Sequence, residues 1–372
     1  LTRTRTMQEQ ERTGKSPRAQ SRVGLRDIAE ALGISQTAVS FAINDKPGVS
    51  DETKRNVKEM ARKLGWTPTY AAQALGSSRT MTVGFAPSRS ADDYQTESFM
   101  LHFMAGAQLA LSRKGYGLLF SPCTSLDEEI QVYRDWAKRK RVDAVVLVDL
   151  RSNDPRPRLL RELGMPAVLA GGPDPDDIVP SLSIDDSRTM ESVLVHLSLL
   201  GHQRIAYLSG DSHLDYCMER TKAFESFTST RGLGPLWVEF TDFDVNKAVA
   251  ITQRLLVEEE PPTAFIFESE TLAAASIRVI TEVCVRQSEL SGKDGGRRYP
   301  YNMPATVSFE DSFICRSLYP SVTAVHRDAG EYGTLVAKLL LKSLSGRPVS
   351  GNRKVLTPQL IIRESTRLAA AD

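Results

Sequence analysis

Cysteine is scarce in this 372-residue chain: Cys123, Cys217, Cys284 and Cys315 are the only four, and no CxxC spacing joins them. That scarcity argues against both a disulfide framework and a cysteine zinc site. The five histidines (His102, His196, His202, His213 and His326) show no ligand spacing, so no metal or other cofactor is expected. Long hydrophobic runs are also missing. A membrane span needs about 18–20 apolar residues, and the best run, Ala144 to Val148, is far shorter. Residues 1–22 are polar and basic without an apolar stretch, so no secretory leader is expected and the cytoplasm is the expected location. HExxH, GxSxG, GxGxxG and the GxxxxGK[ST] phosphate loop are absent. Adjacent carboxylates such as Asp185-Asp186 face opposite ways on a strand. An enzyme is therefore not expected.

What is present is an ordinary globular composition, 41% hydrophobic and 25% charged, long enough for two or three folding units. The net charge of +1 hides an asymmetry: residues 1–80 carry a net +6 and the rest a net −5. A basic end on an acidic body suits a polyanion partner, although a solvated basic end has the same composition.

Residues 1–22 have no periodicity and read as a disordered basic tail. From Leu25 the apolar spacing turns helical. Leu25, Ile28, Ala29 and Leu32 share a face, and Gly33 stops the helix as a left-handed cap. Ser35 caps a second helix, Gln36 to Asn44, burying Val39, Ala42 and Ile43. Ser50 caps a third, with Asp51 and Glu52 favourable to its dipole and Val57, Met60, Ala61 and Leu64 as its buried stripe. Three short helices with a three-residue turn between the first two fit a helix-turn-helix over residues 23–67. Residues 68–80 read as a linker containing a short Ala-rich stretch, marginal as a helix in isolation.

From Met81 strands alternate with helices. The strand candidates are Thr82–Ala86, Gly117–Phe120, Asp143–Val148, Ala167–Ala170, Arg204–Leu208, Ala264–Phe267 and Ala305–Phe309. Helices are expected at Phe99–Arg113, Glu128–Lys138, Arg188–Leu200, Glu219–Thr230, Lys247–Glu258, Thr271–Arg286 and Ala329–Leu344. Such alternation calls for parallel sheets covered on both faces, and about 290 residues suit two α/β lobes. The glycine-rich segment Glu289–Tyr301 reads as a mobile surface insertion.

Val23-Gly24-Leu25-Arg26-Asp27-Ile28-Ala29, Gly33-Ile34-Ser35, Val39-Ser40, Asn44, Val49-Ser50, Leu64-Gly65-Trp66 and Pro68 closely resemble the head signature of the LacI/GalR (lactose-repressor) transcription regulators. His196-Leu197 with Leu200-Gly201-His202-Gln203-Arg204-Ile205-Ala206, and Leu360-Ile361-Ile362-Arg363-Glu364-Ser365-Thr366, are similar to motifs of that family's body. The resemblance spans residues 23–368. It implies an all-α helix-turn-helix head joined to a two-lobed α/β body of the type I periplasmic-binding fold. Lobe 1 is expected at about 81–184 and 326–357, and lobe 2 at about 185–325 and 358–372, with crossings near Ile184, Val325–His326 and Pro358.

The resemblance also implies roles. Gln36, Thr37 and Ser40 would meet base edges in the major groove. Phe41 departs from the family's polar residue and would pack on a thymine methyl or on the neighbouring helix. Ser35, Asn44, Ser50 and Thr53 would lie on the phosphate side, although capping alone accounts for Ser35 and Ser50. Tyr70, Ala72 and Leu75 would form a hinge helix, with Leu75 as a minor-groove wedge. In the cleft, Arg220 would grip effector oxygens, and Ser88, Phe243, Ser269 and Glu310 would join it. The family's Ala-Asn-Asp is Glu268-Ser269-Glu270 here, and Glu310 stands where sugar-binding members carry aspartate. The implied protein is a homodimeric repressor: its partners are near-palindromic double-stranded DNA and a small molecule, a carbohydrate or related metabolite. Helices Phe99–Arg113 and Ala329–Leu344 are the expected dimer face. A two-lobed solute-binding protein without a DNA role is the alternative.

Overall fold

The computed structural model describes residues 23–67, 79–89, 98–290, 303–356 and 358–366. The chain divides into two compact units, one ending at Arg79 and one beginning at Thr80.

The first unit is built from α1 (Leu25–Leu32), α2 (Gln36–Ile43) and α3 (Asp51–Lys63). Gly33, at φ +66, closes α1 in the left-handed region, where glycine alone carries no Cβ penalty. Ser35 Oγ accepts the Ala38 N–H and Ser50 Oγ accepts the Thr53 N–H, so both following helices start at a serine cap. Ile28, Ala29, Val39, Ala42, Val57 and Ala61 form the core. Leu64 departs from its expected place in the buried stripe. It is the C-cap residue, beyond the last helical turn of α3, and is exposed.

The second unit holds two six-stranded sheets. The first uses β1 (Thr82–Phe85), β2 (Gly117–Phe120), β3 (Ala144–Leu147), β4 (Ala167–Ala170), β5 (Ser181–Ile184) and β11 (Asn352–Leu356). All its pairings are parallel, in the order β11-β5-β4-β3-β1-β2. The second uses β6 (Ile205–Ser209), β7 (Leu236–Phe240), β8 (Ala264–Phe267), β9 (Ala305–Ser308), β10 (Thr323–His326) and β12 (Gln359–Ile361). Its order is β12-β10-β9-β8-β6-β7, and only β12 runs antiparallel. The chain changes sheet after β5, after β10 and between β11 and β12.

Helices cover both faces of each sheet, as strands buried on two sides require. On the first lobe, α4 (Ser98–Ser112) and α12 (Ala329–Leu344) cover one face, and α5 (Leu126–Arg139) with α6 (Arg156–Glu162) the other. On the second, α7 (Asp186–Leu199) and α8 (Asp215–Arg231) lie opposite α9 (Val245–Leu255) and α10 (Glu270–Leu290). A short helix, α11 (Phe313–Ser317), follows β9. Helices α4 and α12 touch backbone to backbone. A Cβ at Gly106 would fall 2.0 Å from Gly330 O, and one at Gly333 would fall 2.0 Å from Phe103 O. Helix α10 runs to Leu290, so Glu289 is helical where the sequence suggests an insertion; residues 291–302 lie outside the described part.

Candidate DNA-reading head and interlobe cleft

In the head, Gln36 and Thr37 stand exposed on the first turn of α2, with Ser40 one turn later and half-buried. Their neighbours Val39 and Ala42 hold the opposite face in the core. Asn44 Nδ2 donates to Ser40 O at 2.9 Å, and Ser50 Oγ lies 2.8 Å from Thr53 Oγ1. Ser35, Asn44, Ser50 and Thr53 are thus all engaged in helix ends, which fixes their position at the edge of the three-helix unit. The Phe41 ring lies beside the loop after α2, where a Cβ at Gly48 would sit 3.5 Å from it. Tyr70, Ala72 and Leu75 lie outside the described residues.

In the second unit, a cavity of about 110 Å³ opens between the two sheets. Residues following the carboxyl ends of several strands line it: Asp149 after β3, Gly171 after β4, Asp186 after β5, Glu268 after β8 and Glu310 after β9. Ligands of open α/β sheets occupy that position. Arg220, Phe243, Ser269 and Glu310 come together here. Ser88 does not line the cavity. It forms a bridge with Cys123, and its side chain is hydrogen-bonded to Glu129 in the lobe 1 interior.

Arg220 is 1% exposed and held from two sides. Its Nε and Nη2 donate to Asp186 Oδ1 at 2.7 and 2.5 Å, and Nη1 donates to Glu268 Oε1. The guanidinium lies 4.6 Å from the Phe309 ring centroid and 5.1 Å from that of Tyr216, both at cation–π range. Tyr207 O–H donates to the other oxygen of Glu268. Burial pushes the Glu268 carboxyl above its ordinary range, opposed by the Arg220 charge and the Tyr207 bond. Phe243 has φ +60 and lays its ring over Gly210, where a Cβ would fall 2.2 Å from it; only glycine leaves room for that aromatic wall.

Two further arginines line the cleft, neither of them expected from the sequence. Arg89 donates to both oxygens of Asp149 at 2.6 Å, and Arg327 is paired with Glu310 and lies 4.8 Å over the Phe99 ring. Arg89 keeps the buried Asp149 carboxyl below its usual range despite desolvation. The lobes meet directly: Asp215 N–H donates to Leu150 O at 2.9 Å, and Ser98 Oγ donates to Glu270 Oε1 at 3.0 Å. Asp149, Asp186, Tyr216 and Glu268 are also absent from the expected set. For Asp149 and Glu268 the signal in the sequence was a polar residue after an apolar strand; Asp186 follows β5, a strand not expected, and Tyr216 was hidden because α8 begins at Asp215, four residues before the expected start.

The described residues hold no group of three or more His, Cys, Asp or Glu placed to bind a metal ion, and no helix among them is long and apolar enough to cross a membrane.

Residues 24–69 match the family model described as bacterial regulatory proteins, lacI family. Residues 92–331 match that of periplasmic binding proteins and the sugar binding domain of the LacI family, and residues 303–366 match a periplasmic binding protein-like domain. The transcriptional regulator AglR of Rhizobium meliloti is 31% identical over 264 residues, 70% of this chain and 73% of that protein. CelR of Thermobifida fusca is 28% identical over 345 residues, 92% of this chain and 97% of the relative. A solved structure of a CelR–cellobiose complex aligns with TM-score 0.68 at 27% identity, covering 92% of this chain and all of that one.

Proposed function

The chain belongs to the LacI family of bacterial regulatory proteins, and from that premise we propose a repressor that binds a near-palindromic operator as a homodimer and responds to a carbohydrate in the interlobe cleft. The observation that carries the reading is the joining, in one chain, of a helix-turn-helix head to a body with a lined interlobe cavity.

Gln36, Thr37 and Ser40 are the base-reading side chains. Gln36 suits the paired acceptor and donor of adenine, and the two hydroxyls accept varied base edges. Ser35, Asn44, Ser50 and Thr53 set the head on the phosphates, while Phe41 supports the loop beside α2. Leu75, with Tyr70 and Ala72 beside it, is the hinge wedge that widens the minor groove between the two half-sites. In the cleft, Phe243 and Tyr216 offer aromatic faces to a sugar ring, and Arg220, Ser269 and Glu310 offer polar contacts to its hydroxyls. A sugar that fits one lobe spacing better than another shifts the body toward that spacing, and with it the separation of the heads. The cellobiose bound by the related CelR supports a carbohydrate as the ligand class. Leu101 and Leu109 on α4 are 65% and 64% exposed, which supports α4 as part of the dimer face.

Selection from a pool of random duplexes tests the reading. It should recover a near-palindrome, and Gln36→Ala should relax the base preference at one symmetric pair of positions, costing about 1–3 kcal/mol of discrimination there. Recovery of no consensus would refute it.

A further inference from the structure

Arg220 offers donors to the cavity without offering charge. A guanidinium has five N–H donors. Asp186 takes two of them and Glu268 one. One cation between two carboxylates leaves a local charge of −1. The other cleft arginines are also matched, Arg89 by Asp149 and Arg327 by Glu310. Among the described residues, no arginine in the cavity wall therefore presents an uncompensated positive charge.

This arrangement separates two classes of ligand. A hydroxyl group carries no net charge for that local −1 to repel. A carboxylate or phosphoryl oxygen at the same place stands beside Asp186 and Glu268, in a site where water screens them weakly. Glu268 is the informative member. It is 3% exposed, both its oxygens are held, and it stands where the family pattern has alanine.

We infer that Asp186 and Glu268 set the charge selectivity of the cleft, admitting an uncharged, hydroxyl-bearing ligand and rejecting the same ligand with a carboxylate or phosphate. The inference rests on the carbohydrate reading above and adds to it the charge class of the ligand and the residues that determine it.

Isothermal titration of the full chain tests it, using cellobiose, its analogue with a C6 carboxylate and its C6 phosphate. The wild type should bind the neutral disaccharide at least about tenfold more tightly than either anionic form, a factor that one weakly screened repulsion readily supplies. Glu268→Gln, which removes the charge and keeps the shape, should reduce that ratio by about tenfold; Glu268→Asp should preserve it. A merely structural role for Glu268 would weaken all three ligands alike. Equal or tighter binding of an anionic form by the wild type overturns the inference, whatever the variants do. So does a ratio unchanged in a Glu268→Gln protein whose circular dichroism matches the wild type. Binding of none of the three by the wild type counts against the carbohydrate reading itself, and the inference falls with it.

Discussion

Arg156 is the most demanding single residue of the body. It is fully buried, yet it carries a full charge into the interior of lobe 1. Its Nη1 donates to both oxygens of Glu129 at 2.8 and 2.9 Å, its Nη2 reaches Asp154 Oδ2 at 2.6 Å and the Asp149 carbonyl at 2.7 Å. Tyr133 O–H donates to Glu129 at 2.5 Å. Burial pushes the Glu129 carboxyl above its ordinary range, so the arginine is what keeps that acid tolerable inside. Arg156→Met would leave two carboxylates buried without their cation. The expected loss is about 3–5 kcal/mol of stability, read by urea unfolding followed by circular dichroism. A loss under about 1 kcal/mol would show that the network contributes little. None of this was legible in the sequence. Arg156 lies in Asn153-Asp154-Pro155-Arg156-Pro157, and nothing in that spacing announces a buried ion.

Among the elements, the apolar central strands and the long helices were legible, and most strands at or next to a sheet edge were not. Gly117–Phe120, Ala167–Ala170 and Ala264–Phe267 are strands over the expected residues. Strands β5, β7, β10, β11 and β12 were not expected, nor were the short helices α6 and α11. The four residues of β5, Ser181-Leu182-Ser183-Ile184, mix serine into a fully buried strand, and β12 is a three-residue edge. Their pairing comes from neighbours distant in sequence, which local pattern does not encode. The contact of α4 with α12 belongs to the same class. Its glycines read as ordinary interruptions of helical pattern until the backbones are seen to touch. A Cβ at Gly333 would meet the Phe103 carbonyl and the Ala107 amide, neither of which can swing aside as a side-chain tip would. Gly333→Ala should therefore destabilise lobe 1 by about 1–3 kcal/mol despite alanine's better helix propensity. An unchanged or raised urea midpoint would mean that the helices separate at little cost.

For the whole molecule, the asymmetry of charge in the sequence pointed to a basic end on an acidic body, and the fold gives each part its own architecture. The head was readable almost residue by residue, because capping serines, a left-handed glycine and a short apolar stripe are local signals. The cleft was readable only in part. Arg220, Phe243, Ser269 and Glu310 line it, while Ser88 turns to Glu129 and the two ion pairs of Arg220 join helix α8 to the ends of β5 and β8. A site assembled by topology is visible from the sequence only through resemblance, and the departures from the family pattern, Glu268 above all, are where that route stops. On the proposed function these two parts act together, one reading DNA and the other sensing a sugar. Fluorescence anisotropy at fixed salt measures this most directly, with the full chain, its selected near-palindrome and a scrambled duplex, each titrated with and without a saturating sugar shown to bind. The selected duplex should be preferred by at least about 10³, and that affinity should change about 5–150-fold when the sugar is present. Equal affinity for the two duplexes, or an operator affinity indifferent to a bound sugar, would contradict it.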